Sequence, residues 1–397
     1  MQHTPLCPTP LSFAALHARF ATLPDPRRAQ GRRFPLAALL TLAVAAMLAN
    51  HLSVLAIAEW GKARDEQERR ALGFTGNTMP HQTTLHRLFA RLDAPLFAAA
   101  LIHPASGPVA RGQQGVAVDG KAHRGRLAGQ TLLACPIHML SALCHTTGLV
   151  LAQMPVTALS DKAAAAELAT APALIATLDW HGRVLTGDAL PCQRGLCQQV
   201  VDAGGDYLVL VKGNQPALHR DLAVLFAHRA DTALNAASLP ALDLRTATTD
   251  DRGHGRVEGR TLIASTDLND YLHWPGVAQV FTVKRVWQER GVTKRSVRYG
   301  ITSLPVTVAD AARLLRLKRD HWRIENGVHH VKDVTLGEHA SRVRVGHGPD
   351  VLAILRDIAL NLLRSTGCRT IAAQLRHYCR CPDALLALLG LPLPQHA

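Results

Sequence analysis

The chain has no uninterrupted apolar run long enough to cross a membrane as a helix. Its longest apolar run, Leu36–Ala49, contains a single polar residue, Thr41, and falls short of the roughly 20 residues that a spanning helix needs. No secretion signal precedes it. We therefore expect this run to form a buried helix and the chain to be cytoplasmic, with no membrane partner.

The cysteine pattern favours neither a metal site nor a disulfide framework. The eight cysteines form no CxxC pair and are too sparse for a disulfide framework. One alternative stays open at His377, Cys379 and Cys381, which could ligate a metal ion. Two cysteines separated by one residue rarely complete a tetrahedral site without distant ligands, so we give this alternative little weight.

Acidic residues are scarce. The chain has 30 Asp+Glu against 44 Lys+Arg, which gives a net charge of +14. This excess predicts a polyanionic partner, most simply nucleic acid, with a membrane surface as the rival interpretation. At 397 residues and 48% hydrophobic composition, the chain can form two or three domains with cores of their own.

The apolar pattern divides the chain near residue 112. Residues 1–112 have helical periodicity and predict an all-helical N-terminal module for DNA recognition. The stretch Pro104–Gln114 is rich in glycine and polar residues and predicts a boundary. Strand patterns follow it, so we assign residues 113–397 to a second domain.

The second domain opens with a strand pattern typical of an α/β fold. Three apolar runs predict an antiparallel meander, and they are followed by helix, strand, helix and strand. The runs are Val116–Val118, Leu132–Leu143 and Leu149–Val156, then the helix Asp161–Leu178, the strand Arg183–Gly187, the helix Cys192–Ala203 and the strand Tyr207–Val211. This order predicts a ribonuclease-H-like core, in which helices flank a mixed sheet.

Residues 244–305 interrupt this pattern with a β-rich insertion. Basic residues alternate with Trp287 and Tyr299 there, which suits a surface that follows a nucleic acid strand. The basic residues are Lys284, Arg285, Arg290, Lys294, Arg295 and Arg298. A solvated hairpin with an ordinary packed tryptophan is the alternative.

Two aspartates each end a predicted strand. Asp119 follows the first strand and Asp188 the fourth, and these two strands are central neighbours in a ribonuclease-H-like sheet. Two carboxylates brought together in this way repel each other unless a cation lies between them, and oxygen ligands suit Mg²⁺ or Mn²⁺. Each aspartate alone could equally be a turn residue or a helix cap.

A third carboxylate comes from the helical stretch around Glu325. On an α-helix, Glu325, His329 and Lys332 would project from one face. Glu325 would complete a site for two divalent ions with Asp119 and Asp188. The alternative is a surface helix with one ordinary charge pair.

Six stretches of the sequence resemble the DDE transposases of bacterial insertion sequences, specifically the H-repeat-associated type. They are Leu23–Arg27, Val116–Lys121, Thr186–Leu190, Gly205–Gln215, His254–Glu258 and His321–Asn326 with His329 and Asp333. The resemblance implies a ribonuclease-H-like catalytic domain whose Asp, Asp, Glu triad falls on Asp119, Asp188 and Glu325.

From the triad and the resemblance together we expect a transposase that cleaves and joins DNA with two Mg²⁺ or Mn²⁺ ions. Its partners would be the double-stranded ends of its element and the target DNA, with a homodimer when two ends are held together. Nine residues are expected to position phosphates: Lys121, Arg124, Lys212, Asn214, His254, Arg256, Arg323, His329 and Lys332. A catalytically inactive DNA-binding derivative and a nuclease without strand transfer are the alternatives.

Overall fold

The N-terminal part of the chain is helical, as the sequence predicts. The computed structural model describes residues 13–100, 109–122, 138–156, 163–231, 242–253, 256–289, 291–368 and 370–390. The first helices are α1 (Phe13–Ala21), α2 (Leu36–Leu48), α3 (Val54–Lys62), α4 (Glu66–Ala71), α5 (Gln82–Arg91) and α6 (Ala94–Ala99), with a 3₁₀ turn at Ala29–Gly31. Several begin at a side-chain cap. Asp65 and Glu68, for example, form a reciprocal capping box at α4.

The apolar run at residues 36–49 forms the central helix of this part. Every residue of α2 is buried, and α1, α3 and α11 (Gly348–Ser365) pack around it. The stretch Ala29–Leu48 has the length and hydropathy of a membrane span, although 72% of its 18-residue window is buried inside the protein. The prediction of a buried helix is confirmed for the residues of α2.

A nine-stranded mixed sheet forms the rest of the scaffold. Its strands are β1 (Gln114–Ala122), β2 (His138–Cys144), β3 (Val150–Val156), β4 (Arg183–Gly187), β5 (Asp206–Val211), β6 (Arg245–Gly253), β7 (Arg256–Ser265), β8 (Gln279–Glu289) and β9 (Val292–Thr302). The spatial order is β3-β2-β1-β4-β5-β9-β8-β7-β6. The fold is therefore mixed α/β, with helices packed on a large sheet.

The first five strands have the neighbours that the sequence predicts. The strands β1, β2 and β3 form an antiparallel meander, and β4 lies parallel to β1 and to β5. The helices α7 (Ala163–Ala176), α8 (Arg194–Asp202) and α9 (Pro216–Asp231) follow β3, β4 and β5. Gly204 has a φ of +76° and ends α8 in the left-handed conformation that glycine adopts at low cost. The predicted adjacency of the first and fourth strands is confirmed.

The segment predicted as an insertion extends this same sheet. Its four strands β6 to β9 pair in sequence, and β9 also pairs antiparallel with β5, from Leu208 opposite Thr302 to Val211 opposite Tyr299. The segment is β-rich, as predicted, and its backbone hydrogen bonds join it directly to the core strands. The helix α10 (Ala311–Asp320) then packs back across β6 and β7.

The last helices join both halves of the molecule. The helix α11 contacts α2, α5, α6 and β3, and α12 (Ile371–Arg380) and α13 (Pro382–Leu388) follow it. One buried apolar cluster contains residues from α1, α2, α3, α5 and α6, from β1 to β3 and from α11. The N-terminal helices therefore share their core with the C-terminal part of the chain.

Candidate metal and nucleic-acid site

Asp119 lies in the second half of β1, beside the carboxyl end of the parallel strand β4. The parallel pairing of β1 and β4 runs from Gln114 opposite Arg183 to Ala117 opposite Thr186. Asp119 and Asp188 each follow the last residue of the β1–β4 pairing by two positions, but Asp119 still lies within β1, where it pairs with Ser141 of β2. The prediction that Asp119 ends its strand is therefore wrong, because β1 continues to Ala122. The sheet therefore places both aspartates toward the same end of the β1–β4 pair, because the two strands run parallel.

Glu325 and His329 lie on a helical segment that passes this end of the β1–β4 pair. The segment has π-helical hydrogen bonds over Glu325–His329 and Val331–Thr335. His329 Nδ1 lies 2.8 Å from Glu325 Oε2 and 3.8 Å from Asp119 Oδ2. The ligand atoms of these three residues all lie within 4.8 Å of one another.

The charges of this cluster perturb each other. Burial raises the pKa of Asp119 to about 6, and the negative charges of Glu325 and Glu167 add to the rise while His329 opposes it. The pKa of Glu325 is lowered, chiefly by its hydrogen bond with His329. Because burial disfavours the ionised form of the Asp119 carboxyl, a nearby cation would stabilise that form.

The Asp188 carboxylate lies next to two basic side chains. Its Oδ2 lies 2.6 Å from the Nζ of Lys212, which follows β5, and its Oδ1 lies 4.0 Å from Nη1 of Arg298 on β9. Oδ1 is also buried without a hydrogen-bond partner among the described residues. The structure brings Asp119, Glu325 and His329 together, and it holds the Asp188 carboxylate in an ion pair outside that cluster.

Two of the lysines predicted to contact phosphates are buried. The Lys121 side chain is 5% exposed and donates to Asp333 and Glu338, and the Lys332 side chain is 1% exposed and lies 2.7 Å from Asp357. The π-helical turn is wider than an α-helical one, so Lys332 does not share the face of Glu325 and His329 as predicted. The burial of both ammonium groups conflicts with the phosphate contacts predicted for them.

The other residues predicted to contact phosphates differ in their exposure and in their partners. Lys212 is about half exposed, and Asn214 donates from Nδ2 to the carbonyl oxygen of Ala189, 2.8 Å away, which fixes the loop after Asp188. Arg323 is exposed and donates to the carbonyl oxygen of His145. His329 is buried within the acidic cluster. Arg124 and His254 lie outside the described residues, as does the side chain of Arg256 on β7.

Sequence reasoning missed two charged residues near Asp119 and Asp188. Glu167 on α7 adds negative charge beside Asp119. Lys318 on α10 lies close to Arg298 and Asp188, and burial lowers its pKa to about 8, with a further contribution from Arg298. Helical spacing could not reveal either contact, because both depend on how a helix packs against the sheet.

Hydrogen bonds between three uncharged side chains connect the start of the Glu325 segment to β4. The Thr186 hydroxyl lies 3.0 Å from His145 Nε2 and 3.3 Å from His321 Nδ1. Burial lowers the pKa of His145 to about 3 and that of His321 to about 4, so both rings are uncharged at neutral pH. These hydrogen bonds join the Glu325 segment to β4 without adding charge to the site.

The donor set fits a divalent cation. Two carboxylates and an imidazole converge from different elements, and Asp188, with its free Oδ1, lies toward the same end of the β1–β4 pair. Carboxylate oxygens suit Mg²⁺ and Mn²⁺, and imidazole is also accepted by transition metals. Within the described ranges, this is the one group of three or more such ligands, and His377, Cys379 and Cys381 form no such group.

Two family models match the chain. The model described as "Transposase DDE domain" matches residues 110–362, and the model described as "DDE_Tnp_1-associated" matches residues 17–103. The first match covers the sheet, the Glu325 segment and most of α11. The second covers the N-terminal helices.

Curated relatives cover most of the chain. The transposase-named protein YncI of Escherichia coli O157:H7 is 28% identical over 89% of this chain and 88% of its own length. The H repeat-associated protein YhhI of Escherichia coli K12 is 28% identical over 67% of each chain. A protein of Xanthobacter autotrophicus, named only for its place in the dhlA 3' region, is 30% identical over 72% of this chain and 92% of its own. Among solved structures, the piggyBac transposase synaptic complex with hairpin DNA aligns over 99% of this chain and 88% of that chain, with a TM-score of 0.42 and 12% identity.

Proposed function

Because the chain belongs to the DDE transposase family, we propose that it is an active DNA transposase with Asp119, Asp188 and Glu325 as its metal-binding triad. It binds the double-stranded ends of its element, hydrolyses a phosphodiester to free a 3′-hydroxyl, and directs that hydroxyl at a phosphodiester of the target strand. The element end is joined to the target phosphate, and the 3′-oxygen of the broken target strand leaves. The observation that carries this proposal is the convergence of Asp119, Glu325 and His329 toward the same end of the β1–β4 pair as Asp188.

The three acids would hold two Mg²⁺ or Mn²⁺ ions. When bound, such ions activate the attacking oxygen and stabilise the leaving one. His329 orients Glu325 through the 2.8 Å contact and keeps its carboxylate directed at Asp119. Asp188 would hold an ion in place of its present contact with Lys212. We take the sheet from β1 to β5 as the ribonuclease-H-like core of this enzyme.

The basic side chains around Asp188 would position the DNA backbone. Lys212, Arg298 and Lys318 lie around one carboxylate, and Arg323 is exposed at the start of the Glu325 segment. Lysine and arginine in such positions neutralise phosphates and fix the register of the strand without reading its sequence. The N-terminal helices of residues 13–99 would recognise the element ends, with a homodimer holding two ends together. A cytoplasmic location follows from this substrate.

Strand cleavage on DNA that carries the element ends tests the triad. We expect cleavage in Mg²⁺ or Mn²⁺ that Asp119→Asn and Glu325→Gln each reduce by at least a hundredfold. Glu66→Gln changes an exposed carboxylate of α4 that pairs with Arg70, and it serves as the matched control with unchanged activity. Full activity of Asp119→Asn would refute the assignment.

Strand transfer needs its own assay, because the alternatives differ only in that step. A pre-nicked element end is offered with a target plasmid, and joined products are counted. Cleavage without joining would identify a metal-dependent nuclease. An absence of both, with retained binding to the element ends, would identify an inactive DNA-binding derivative.

A further inference from the structure

Behind the candidate site lies a buried network of six charged side chains. It joins β1, the π-helical segment and α11, and it contains three cations and three carboxylates. Its members are Lys121, Lys332, Asp333, Glu338, Arg356 and Asp357, of which only Asp333 is more than 5% exposed. The proposed chemistry assigns no role to this network.

Lys121 is the member that connects the network to the site. It follows Asp119 by two positions in β1, so the two side chains project from the same face of the sheet. Its ammonium group donates to Asp333 Oδ1 and Glu338 Oε2, both of which follow Glu325 along the chain. One lysine thus ties the strand that carries Asp119 to the segment that carries Glu325.

Glu338 is held in turn from the other side. Its Oε1 lies 3.6 Å from Nζ of Lys332 and 3.9 Å from Nη1 of Arg356. The Nε of Arg356 also donates to the carbonyl oxygen of Leu336, 3.1 Å away, and the backbone N–H of Glu338 donates to the carbonyl oxygen of Lys332. The end of the π-helical segment is therefore fixed between β1 and α11.

Burying charged groups in this way is expensive. Each ion loses several kcal/mol of hydration, and apolar side chains of similar volume often stabilise a fold as well or better. What a charged network supplies is one defined geometry, because each group is satisfied only at a particular distance and angle. Fixed geometry matters here because Asp119 and Glu325 reach a common cation only when β1 and the segment are in register.

From this we propose that Lys121 is a positioning residue, which holds the Glu325 segment against β1 so that Asp119 and Glu325 bind the same divalent ion. The inference depends on the proposed function, since it concerns the same ion. It assigns Lys121 an interior role in place of the phosphate contact that the sequence predicts.

Mn²⁺ binding by the full-length protein without DNA, measured by calorimetry, tests this role. Lys121→Met removes the ammonium group but leaves Asp333 and Glu338 with excess negative charge. The double variant Lys121→Met/Glu338→Gln restores the charge balance without restoring the link. We expect the double variant to regain most of the melting temperature that the single variant loses, while its Mn²⁺ affinity stays at least tenfold below wild type.

A purely structural role predicts a different result. In that case stability and Mn²⁺ affinity recover together, and a double variant with wild-type affinity overturns the proposal. Lys121→Arg keeps the charge with a longer, planar head group, and it is expected to fold normally and bind Mn²⁺ about threefold more weakly. If Lys121→Met does not fold, this variant and the double variant carry the test.

The two proposals fail separately. If wild-type protein binds no Mn²⁺ and Asp119→Asn cleaves normally, the triad assignment is wrong. If wild-type protein binds Mn²⁺ and Asp119→Asn abolishes that binding, but the double variant and Lys121→Arg both bind as wild type does, only the role of Lys121 is wrong.

Discussion

His329 Nδ1 lies 3.8 Å from Asp119 Oδ2, although one residue lies on the π-helical segment after α10 and the other on β1. The same nitrogen lies 2.8 Å from Glu325. The imidazole thus stands between two carboxylates that would otherwise repel each other. Its Nε2 is buried without a hydrogen-bond partner among the described residues. A cation bound in this cluster would reduce the repulsion between the carboxylates of Asp119 and Glu325, as the imidazole does.

Metal binding should depend on pH through Asp119. Its pKa is raised to about 6, so the folded protein keeps a proton on this carboxyl at pH values where a free aspartate has lost it. A cation must displace that proton. We expect the Mn²⁺ affinity to rise by up to about tenfold per pH unit between pH 5 and 6 and to level off above, as measured by calorimetry in buffers of matched ionic strength.

Glu167→Gln provides the control for this dependence. The negative charge of Glu167 contributes to the raised pKa of Asp119, so its removal should shift the rise in Mn²⁺ affinity to lower pH. An affinity that stays constant from pH 5 to 7 in the wild-type protein would show that Asp119 does not titrate in this range or does not bind the ion.

The sequence predicts which strands and helices form the site better than it predicts the contacts of the side chains. The order of strands and helices was sufficient to place β1 beside β4, although Asp119 lies within β1 and does not mark its end. Such features are local, because turn residues and apolar alternation depend on a few neighbours. The helical character around Glu325 was equally visible.

Contacts between distant elements were not accessible in the same way. Helical spacing assumes an α-helix, and the π-helical turn moved Lys332 from the Glu325 face to a buried ion pair with Asp357. The charge of Lys121 suggested a phosphate contact, yet its partners Asp333 and Glu338 lie far along the chain. A single sequence contains no signal for such pairs, because they arise only when the elements pack.

Lys212 should contribute to DNA affinity in a salt-dependent way. Its side chain is 46% exposed beside Asp188, which leaves the ammonium group accessible to a phosphate. Each phosphate contact adds close to one unit to the slope of the logarithm of affinity against the logarithm of salt concentration. We therefore expect Lys212→Gln to reduce the magnitude of this slope by about one, measured by fluorescence anisotropy with duplex element ends.

The Lys121→Met/Glu338→Gln variant is the matched comparison for Lys212→Gln. It also lacks one lysine ammonium group, but that group is buried and bound to carboxylates. Its salt slope should equal that of the wild-type protein. A reduced slope in this variant would mean that Lys121 leaves its buried position when DNA binds.

The contact between β5, β8 and β9 can be tested through stability. A Cβ atom added at Gly300 on β9 would collide with the Phe281 ring on β8 and with the carbonyl oxygen of Val209 on β5. The backbone oxygen cannot move without breaking the pairing that joins the two halves of the sheet. Overpacking of this kind costs about 1–3 kcal/mol, so Gly300→Ala should lower the free energy of unfolding by that amount in urea.

Gly195→Ala is the control, because a Cβ atom there meets no atom within 4 Å and the residue lies inside α8. Alanine is favoured over glycine in the middle of a helix by roughly 0.5–1 kcal/mol, and Gly195 is the second residue of α8, so this variant should be at least as stable as wild type. If Gly300→Ala behaved like Gly195→Ala, β9 could not lie against β5 as described. The basic residues of β8 and β9 would then have no fixed position relative to Asp188, and Arg298 would lose its place in the proposed DNA-binding surface.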